Sequence, residues 1–429
     1  MKSTEKIFVK RVKLSGYKSI ENIDIELVEG LNIIIGKNAV GKTNFLSFLN
    51  KSLNLDFDKL NNFRAEYSVI YNKKVFDFSF SKTTSLKSFN DDSVGNFEFL
   101  NLKKLGPSYN GKLSIYNIEN TKAHISEIYG VENENENEKL RKILMEDKIS
   151  IKSILIKHGL PNNYYIIDKP LNIELINKDI SDDFINLFHS NIQSNLFRRL
   201  LFTTLTPHKG YFNKRLKKQK SIEKFIKEKA EEYKKQMLKR LSFLDELKII
   251  LAEYSPIENL KISENFLIDI DIDNEKITLN NFFLEYKIDN KWYQFNDLSD
   301  GTKRIFYIIS EVFILDRIFS FEDKISKEQN KLNVVLIEEP ELGIHPHQLY
   351  DLMRYIKEKS RDEQIIITTH SPQSLDILEK KELSSIIVAE KKNNATHLKK
   401  LTSEKIEKAK LYMDELNLSD FWLNSDLED

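Results

Sequence analysis

Residues 31–44 read Leu-Asn-Ile-Ile-Ile-Gly-Lys-Asn-Ala-Val-Gly-Lys-Thr-Asn, and this stretch decides the fold class. Its first five residues form a nearly continuous apolar run that Gly36 closes. Such a run predicts a strand buried on both faces, as in a parallel sheet. A helix is predicted to begin near Lys42, so the stretch indicates a strand, a glycine-bounded loop and a helix in succession.

The loop at 36–43 fits the pattern G-x-x-x-x-G-K-[S/T] in the strand-to-helix context that the pattern requires. Backbone N–H groups of such a loop converge on phosphate oxygens, and the helix N-terminus adds positive potential. We therefore predict a phosphate site in which Lys42 reaches the β- and γ-phosphates and the Thr43 hydroxyl holds Mg²⁺. The other residues of the loop and first helical turn predicted to bind nucleotide are Asn38, Ala39, Val40, Gly41 and Asn44.

Three more apolar runs lie late in the chain, at 334–337, 365–367 and 386–388. Helical patterns separate them at about 346–360 and 372–381, and such alternation predicts an α/β sheet. The first run and the last three are about 300 positions apart. One sheet is therefore expected to be built from both ends of the chain, with the middle inserted.

The middle of the chain has other patterns of polarity. Residues 65–82 alternate in polarity around a short polar turn, which predicts an antiparallel hairpin. Residues 221–254 contain neither Gly nor Pro and carry apolar residues every three or four positions, which predicts one long amphipathic helix. That helix is either a core element or an arm that meets another helix. Residues 262–296 return to strand-like alternation.

Charged and polar residues end the late apolar runs. Glu338 and Glu339 follow the run at 334–337, where one carboxylate would hold Mg²⁺ and the other would polarise an attacking water. His370 follows the next run, where it would bind a γ-phosphate or orient the water. The segment 298–304 predicts a helix N-cap at Ser299 or Asp300, with Gly301 allowing close approach of a ligand.

In combination these motifs resemble the ATP-binding-cassette (ABC) ATPases, and more closely the branch containing SMC, RecF and the overcoming-lysogenization-defect (OLD) proteins. The Glu-Pro-Glu at 339–341 and the Thr-His-Ser-Pro at 369–372 are marks of this branch. The resemblance assigns Gly36–Thr43 to Walker A, Leu298–Arg304 to the ABC signature, Leu336–Glu339 to Walker B and His370 to the switch histidine. It implies that Glu338 is the metal-side carboxylate, Glu339 the general base and Lys18 a basic residue near the nucleotide.

The resemblance implies an α/β ABC ATPase head, with a mixed and mainly parallel sheet carrying the phosphate loop, an antiparallel β subdomain and a helical insertion. The expected division is 1–82 and 262–400 for the two parts of the head, 83–261 for the insertion and 401–429 for a C-terminal tail. Two departures stand out. Walker B has Glu338 where Asp is usual, and no glutamine occurs before Gln193, so a Q-loop glutamine is not evident.

The same resemblance implies ATP and Mg²⁺ as cofactors and slow hydrolysis of ATP to ADP and phosphate. Ser299, Gly301 and Lys303 would bind the γ-phosphate held by a second copy, giving a homodimer or higher homo-oligomer of ATP-sandwiched heads. The chain looks like the stand-alone ATPase subunits of PARIS- or Septu-like phage-defence systems, whose partner effector is a nuclease or toxin. Two alternatives remain: a RecF-like DNA-binding ATPase in repair, and a nucleotide-gated scaffold with little turnover.

Composition narrows the function classes. The 429 residues hold 66 Lys and Arg against 66 Asp and Glu, so coating nucleic acid by bulk charge is disfavoured. Cysteine is absent, and no signal peptide or run of 18 apolar residues occurs, so we expect a cytoplasmic protein without a membrane span. The basic segment 198–220 is a candidate for DNA or an acidic protein, or is a solvated helical face. The His-Pro-His at 345–347 suggests either a metal or a helix start.

Overall fold

A computed structural model describes residues 7–54, 56, 60, 62–71, 74–82, 109–117, 120–127, 149–159, 171–176, 196, 222–271, 276–322 and 330–424. The chain forms two compact units. The first unit comprises 1–158, 325–342 and 353–429, and the second comprises 159–324 and 343–352. The four-part division expected from the sequence stays a prediction.

The strands are, in chain order, β1 (Phe8–Ser15), β2 (Ile23–Glu26), β3 (Leu31–Ile35), β4 (Arg64–Tyr71), β5 (Lys74–Lys82), β6 (Tyr109–Asn117), β7 (Asn120–Glu127), β8 (Ile149–Ile156), β9 (Leu171–Ile176), β10 (Asn259–Ile262), β11 (Leu267–Asp271), β12 (Lys276–Phe282), β13 (Leu284–Ile288), β14 (Lys291–Tyr293), β15 (Asn330–Glu338), β16 (Gln364–Thr369), β17 (Ile386–Lys392) and β18 (Ala395–Lys400). The helices are α1 (Lys42–Leu53), α2 (Ile222–Arg240), α3 (Phe243–Tyr254), α4 (Asp300–Glu322), α5 (Pro346–Lys359), α6 (Ser403–Tyr412) and α7 (Leu418–Asn424). Short 3₁₀ helices occur at Phe295–Asp297, Pro372–Leu375 and Lys380–Ser385.

The main sheet of the first unit has the order β18-β17-β3-β16-β15-β8. All neighbours are parallel except β17 and β18. Every residue of β3 and β16 is buried, and each strand contains three consecutive isoleucines, as expected for strands covered on both faces. The predicted α/β class is therefore confirmed, and strands from both ends of the chain share this sheet. One strand, β8, comes from the stretch that the sequence analysis assigned to the insertion.

The first unit also contains an antiparallel sheet of order β2-β1-β4-β5-β6-β7. Within it β4 and β5 form the predicted hairpin. Helix α1 buries Phe45, Leu46, Phe48 and Leu49 in a core that includes side chains of both sheets. The ring of Phe48 lies 4.9 Å from that of Tyr17 and 6.1 Å from that of Phe63, measured between centroids. The helix that follows the phosphate loop is thereby fixed by its apolar face.

The second unit contains two three-stranded antiparallel sheets, β10-β13-β14 and β11-β12-β9, together with α2, α3 and α4. The expectation of one long helix over 221–254 is wrong, because α2 ends at Arg240 and α3 begins at Phe243. The N–H of Leu241 is shared between the carbonyls of Met237 and Leu238, which tightens the last turn of α2. Leu241 and Phe243 are both buried. The helix is therefore interrupted by side-chain packing, at a position where the sequence contains no Gly or Pro.

A second local expectation also differs from the structure. The helical pattern at 372–381 forms only short 3₁₀ segments, in which Asp376 N–H bonds to the carbonyl of Gln373 and Leu378 N–H to that of Leu375. Among the helices in the described part of the chain, none has the length and apolarity to cross a bilayer.

One buried side chain ties the antiparallel sheet to the main sheet. The amide nitrogen of Gln364, at the start of β16, donates to the carbonyls of Val9 (2.9 Å) and Val28 (3.1 Å). Its amide oxygen accepts the N–H of Val9 at 2.8 Å. Gln364 is 3% exposed, so these three backbone groups lie where water does not replace a lost partner.

Replacing Gln364 by Leu therefore leaves buried backbone groups without partners and is expected to lower the free energy of unfolding of the first unit by about 3 kcal/mol. The two tryptophans suit the measurement, since Trp422 belongs to the first unit and Trp292 to the second. In a Trp292→Phe background, urea unfolding is followed by the fluorescence of Trp422. The matched control is Gln373→Leu at an exposed position of the same unit, expected to change stability by less than about 0.5 kcal/mol. Equal effects of the two substitutions would contradict the assigned role of Gln364.

Candidate functional site

The loop between β3 and α1 has the backbone of a phosphate cradle. Ala39 and Gly41 adopt positive φ angles of 63° and 102°, and α1 begins directly afterwards at Lys42. A Cβ on Gly36 would lie 2.3 Å from the carbonyl oxygen of Ala389, so only glycine permits this approach of the loop to β17. The left-handed residues turn successive N–H groups to one side, and the N-terminus of α1 adds positive potential there.

The side chain of Lys42, the first residue of α1, reaches back into this loop. Its Nζ donates to the carbonyl oxygens of Gly36 (2.7 Å) and Lys37 (2.9 Å), and the residue is only 4% exposed. Thr43, the next residue, is exposed in the first turn of α1. A buried ammonium beside backbone N–H groups and an accessible hydroxyl form a donor set that fits a polyphosphate with its cation.

A chain of hydrogen bonds braces the loop. The Thr396 hydroxyl donates to the Val40 carbonyl at 2.9 Å and lies 2.7 Å from the Ser19 hydroxyl. The Asn44 amide donates to the Ser19 Oγ at 2.8 Å. Since Thr396 donates to Val40, the Ser19 hydroxyl donates to Thr396 and accepts from Asn44. Asn44 thus supports the loop from α1, while Ser19 and Thr396 are supporting residues that sequence reasoning missed.

Of the remaining residues predicted to bind nucleotide, all except Val40 are exposed. Asn38 and Ala39 are exposed at the tip of the phosphate loop, while Val40 is 8% exposed. Lys18 is exposed in the turn after β1, with a positive φ of 53° and its Nζ 5.2 Å from the centre of the Tyr17 ring. The turn that carries Lys18 is joined to the loop through Ser19, so both belong to one braced surface.

The carboxylates predicted at Walker B lie at the end of β15. Glu338 is 2% exposed and pairs in register with Thr368 of β16. The N–H of Glu339 donates to the Thr368 carbonyl at 2.8 Å, and Glu339 has a φ of 44°. A non-glycine residue in this region carries strain of about 1–3 kcal/mol, and such strain tends to occur at functional sites. In the described part of the chain, the Glu339 carboxylate makes no ion pair or hydrogen bond.

His370 is held by a second carboxylate. Glu341 Oε1 accepts the N–H of His370 and the hydroxyl of Thr369, both at 2.8 Å, and lies 3.0 Å from His370 Nδ1. Glu341 is 9% exposed, whereas the His370 side chain is 35% exposed. In the sequence Glu341 is evident only as part of the Glu-Pro-Glu motif, but in the structure it is the residue that fixes the position of His370.

The strand register explains why these residues meet. Ile35 pairs with Thr369 and Val388, and Glu338 pairs with Thr368, so the carboxyl ends of β3, β16 and β15 lie along one edge. Ligands of open α/β sheets bind at this edge. A histidine at the end of β8 joins them, because His158 Nδ1 lies 3.1 Å from Glu338 Oε2.

The residues predicted for the signature belong to the second unit. Ser299 caps α4, its Oγ accepting the N–H of Thr302 at 3.2 Å, and it is exposed. A Cβ on Gly301 would lie 2.5 Å from the Gly343 carbonyl oxygen. Lys303 Nζ donates to the Asn296 carbonyl at 3.0 Å. The residues predicted for Walker A, Walker B and the switch histidine belong to the first unit.

The two remaining candidate sites are the basic segment 198–220 and the His-Pro-His at 345–347. The basic segment 198–220 lies outside the described residues. His345 and His347 are both exposed at the start of α5, with rings 5.5 Å apart. Among the described residues there is no group of three or more His, Cys, Asp or Glu side chains that would hold a metal alone. A site with one carboxylate still suits Mg²⁺, which usually keeps several waters and binds substrate phosphates.

One model of a known protein family matches most of the chain. The family model described as "AAA_15: AAA ATPase domain" matches residues 8–375. The chain belongs to this family of ATPase domains. No curated protein matches the chain significantly.

Several solved structures are similar to the chain at low sequence identity. They include the Smc head bound to the C-winged helix domain of ScpA (13% identity, TM-score 0.41, covering 93% of this chain and 99% of that one). A second is the Smc head domain with an extended coiled coil bound to the C-terminal domain of ScpA, derived from Pyrococcus furiosus (15%, 0.40, 95% and 100%). A third is the SMC head domain from Thermotoga maritima (9%, 0.33, 92% and 99%). At TM-scores below 0.5 these likenesses define neither the fold nor the function of this chain.

The close packing around Gly41 allows a specific test of the loop between β3 and α1. A Cβ there would lie 1.9 Å from Thr396 Oγ1 and 2.8 Å from Ser19 Oγ, at a φ that disfavours side chains. Gly41→Ala is expected to distort the loop and weaken ATP binding about tenfold or more, as titrated with a fluorescent ATP analogue. Gly159→Ala is the matched control, since a Cβ on Gly159 meets nothing within 4 Å. Unchanged affinity in Gly41→Ala would contradict the assignment of this loop.

Proposed function

We propose that the protein binds and hydrolyses ATP with Mg²⁺, and that ATP-dependent pairing of two copies controls a separate effector protein. The observation that carries the proposal is the phosphate cradle around Lys42, with Glu338 and Glu339 ending a strand at the same sheet edge. Membership of an ATPase-domain family supports the nucleotide, and the donor set described above supports the cation.

In this proposal the loop backbone and Lys42 hold the β- and γ-phosphates. The Thr43 hydroxyl and the Glu338 carboxylate hold Mg²⁺, both being the oxygen ligands that this cation prefers. A cation held by these residues would supply positive charge to neutralise the negative charge that develops on the transferred phosphate. The chain's own contribution is positioning, because little covalent chemistry is left to the protein in phosphoryl transfer.

Glu339 is proposed to be the general base that accepts a proton from the attacking water. Its backbone is anchored to Thr368, and its side chain is half-buried, so the carboxylate is held in place without being fully withdrawn from the site. His370 is proposed to bind the γ-phosphate or orient the water, and Glu341 keeps its imidazole in position.

The second part of the proposal concerns Ser299, Gly301 and Lys303. They stand at the start of the 23-residue α4, and Ser299 is exposed. A helix N-terminus of this kind binds anions, and here we propose that its anion is the γ-phosphate of a second copy. Each ATP then joins two subunits, and its hydrolysis removes contacts that only the paired state makes.

The effector is proposed to be a nuclease or toxin, and the setting defence against phage. This step rests on the resemblance of the sequence to stand-alone ATPase subunits of defence systems. ATP-dependent co-purification of the protein with the product of a neighbouring gene would support it. Turnover that instead depends on added DNA, and is lost when Lys214, Lys217, Lys218 and Lys220 are neutralised, would favour the repair alternative.

Glu339→Gln removes the proposed base while keeping the shape of the side chain. We expect ATP turnover at least about 100-fold below wild type, and a doubled mass by light scattering with ATP and Mg²⁺. Lys42→Ala should remain at the single-chain mass because it cannot hold the triphosphate. The control is Glu404→Gln, an exposed carboxylate of α6. Unchanged turnover in Glu339→Gln would favour the scaffold alternative.

Pairing in trans has its own test. Lys42→Ala and Ser299→Arg are each expected to be inactive, one for lack of the phosphate contact and the other because Arg blocks the partner's phosphate. Mixed in equal amounts, they should recover up to about one quarter of wild-type turnover, since half of the random dimers carry one complete site. A mixture as inactive as its components would mean that Ser299 does not act on the partner's ATP.

A further inference from the structure

The end of β8 brings an additional side chain to the proposed metal site. β8 is the edge strand of the main sheet and runs parallel to β15, with Ile156 paired to Ile337. His158 is the second residue after the end of β8. It lies beside Glu338, the residue that follows Ile337. The Nδ1 atom of His158 is 3.1 Å from Oε2 of Glu338.

The two partners differ in their surroundings. The Glu338 side chain is 3% exposed, whereas that of His158 is 57% exposed. A buried carboxylate needs polar partners to fix its orientation, and the His158 imidazole, with Nδ1 3.1 Å from Oε2, is such a partner. The exposed imidazole of His158 therefore contacts one oxygen of Glu338, while the Glu338 side chain itself stays buried at the edge of the sheet.

Carboxylates that bind metals are themselves held by hydrogen bonds from an outer layer of residues, and removal of such a partner typically weakens metal binding 10–100-fold. We propose that His158 is a positioning residue for Glu338, holding the carboxylate in the orientation that binds the nucleotide's cation. This inference rests on the proposed function, because it assumes that Glu338 is the metal-side carboxylate.

The geometry favours a supporting role over direct ligation. His158 is placed on the carboxylate oxygen itself, at hydrogen-bond distance, and its ring is more than half exposed. Imidazole is also a poor partner for Mg²⁺, which prefers oxygen ligands, and suits softer cations instead. As a positioning residue, His158 is replaceable by another side chain that donates from the same place.

The test uses Mn²⁺ as the probe, because electron paramagnetic resonance measures its free concentration and detects a nitrogen bound to it. Mn²⁺ is titrated into the 429-residue chain with ADP present. His158→Ala is expected to weaken Mn²⁺ binding about 10–100-fold. His158→Asn places an amide donor near the position of Nδ1 and should restore affinity to within about threefold of wild type. Lys157→Ala, at the preceding residue, should match wild type.

The affinity of each variant for a fluorescent ADP analogue is also measured in EDTA, without metal. An affinity equal to that of wild type shows that the nucleotide loop is intact. His158→Ala with wild-type Mn²⁺ affinity would overturn the inference while leaving the proposed function untouched. So would a nitrogen coupling to Mn²⁺ that His158→Ala removes, because His158 would then be a ligand. If wild type with ADP binds no Mn²⁺ and Glu338→Gln behaves identically, the proposed function itself fails.

Discussion

The parallel register of β3, β16, β15 and β8 is the constraint on which the rest of the first unit depends. Four strands, two from before residue 160 and two from after residue 329, end at one edge of the sheet, and each delivers a different part of the site. Slipping any strand by one residue would turn its apolar side chains to the opposite face and move its terminal polar residue away from the edge. The buried Gln364 and the close approach of Gly36 to Ala389 hold this arrangement against such slippage.

A second layer of residues supports those that would contact nucleotide. Ser19 and Thr396 brace the phosphate loop, Glu341 fixes His370, and the imidazole beside Glu338 completes the set. Each support is polar and involves one buried residue (Thr396, Glu341 or Glu338), so a lost contact is not readily replaced by solvent. Functional groups held in this way keep their geometry between turnovers, which is what positioning chemistry requires.

The sequence alone predicts those elements of the fold that a short contiguous stretch of residues specifies. The strand, loop and helix at 31–53 are contiguous, and the late apolar runs are unambiguous, so the α/β class and its sheet edge follow from pattern. The break at Leu241 does not, because packing causes it and no Gly or Pro marks it. Likewise β8, with the mixed sequence Ile-Ser-Ile-Lys-Ser-Ile-Leu-Ile, lacks the uniform polarity of a central strand. The supports at Thr396 and His158 depend on strand pairing across long stretches of chain, which no local pattern reveals.

The distance between paired strands has a consequence for how the protein is made. β3 ends at residue 35, but its neighbour β16 begins at residue 364, so roughly 330 residues separate them. At typical translation rates of 5–20 residues per second, the ribosome needs about 16 to 66 s to deliver the partner. Throughout that interval Ile33, Ile34 and Ile35 have no parallel strand to pair with. The nascent chain must therefore shelter an apolar segment, and chaperone demand should be highest before the last strands emerge.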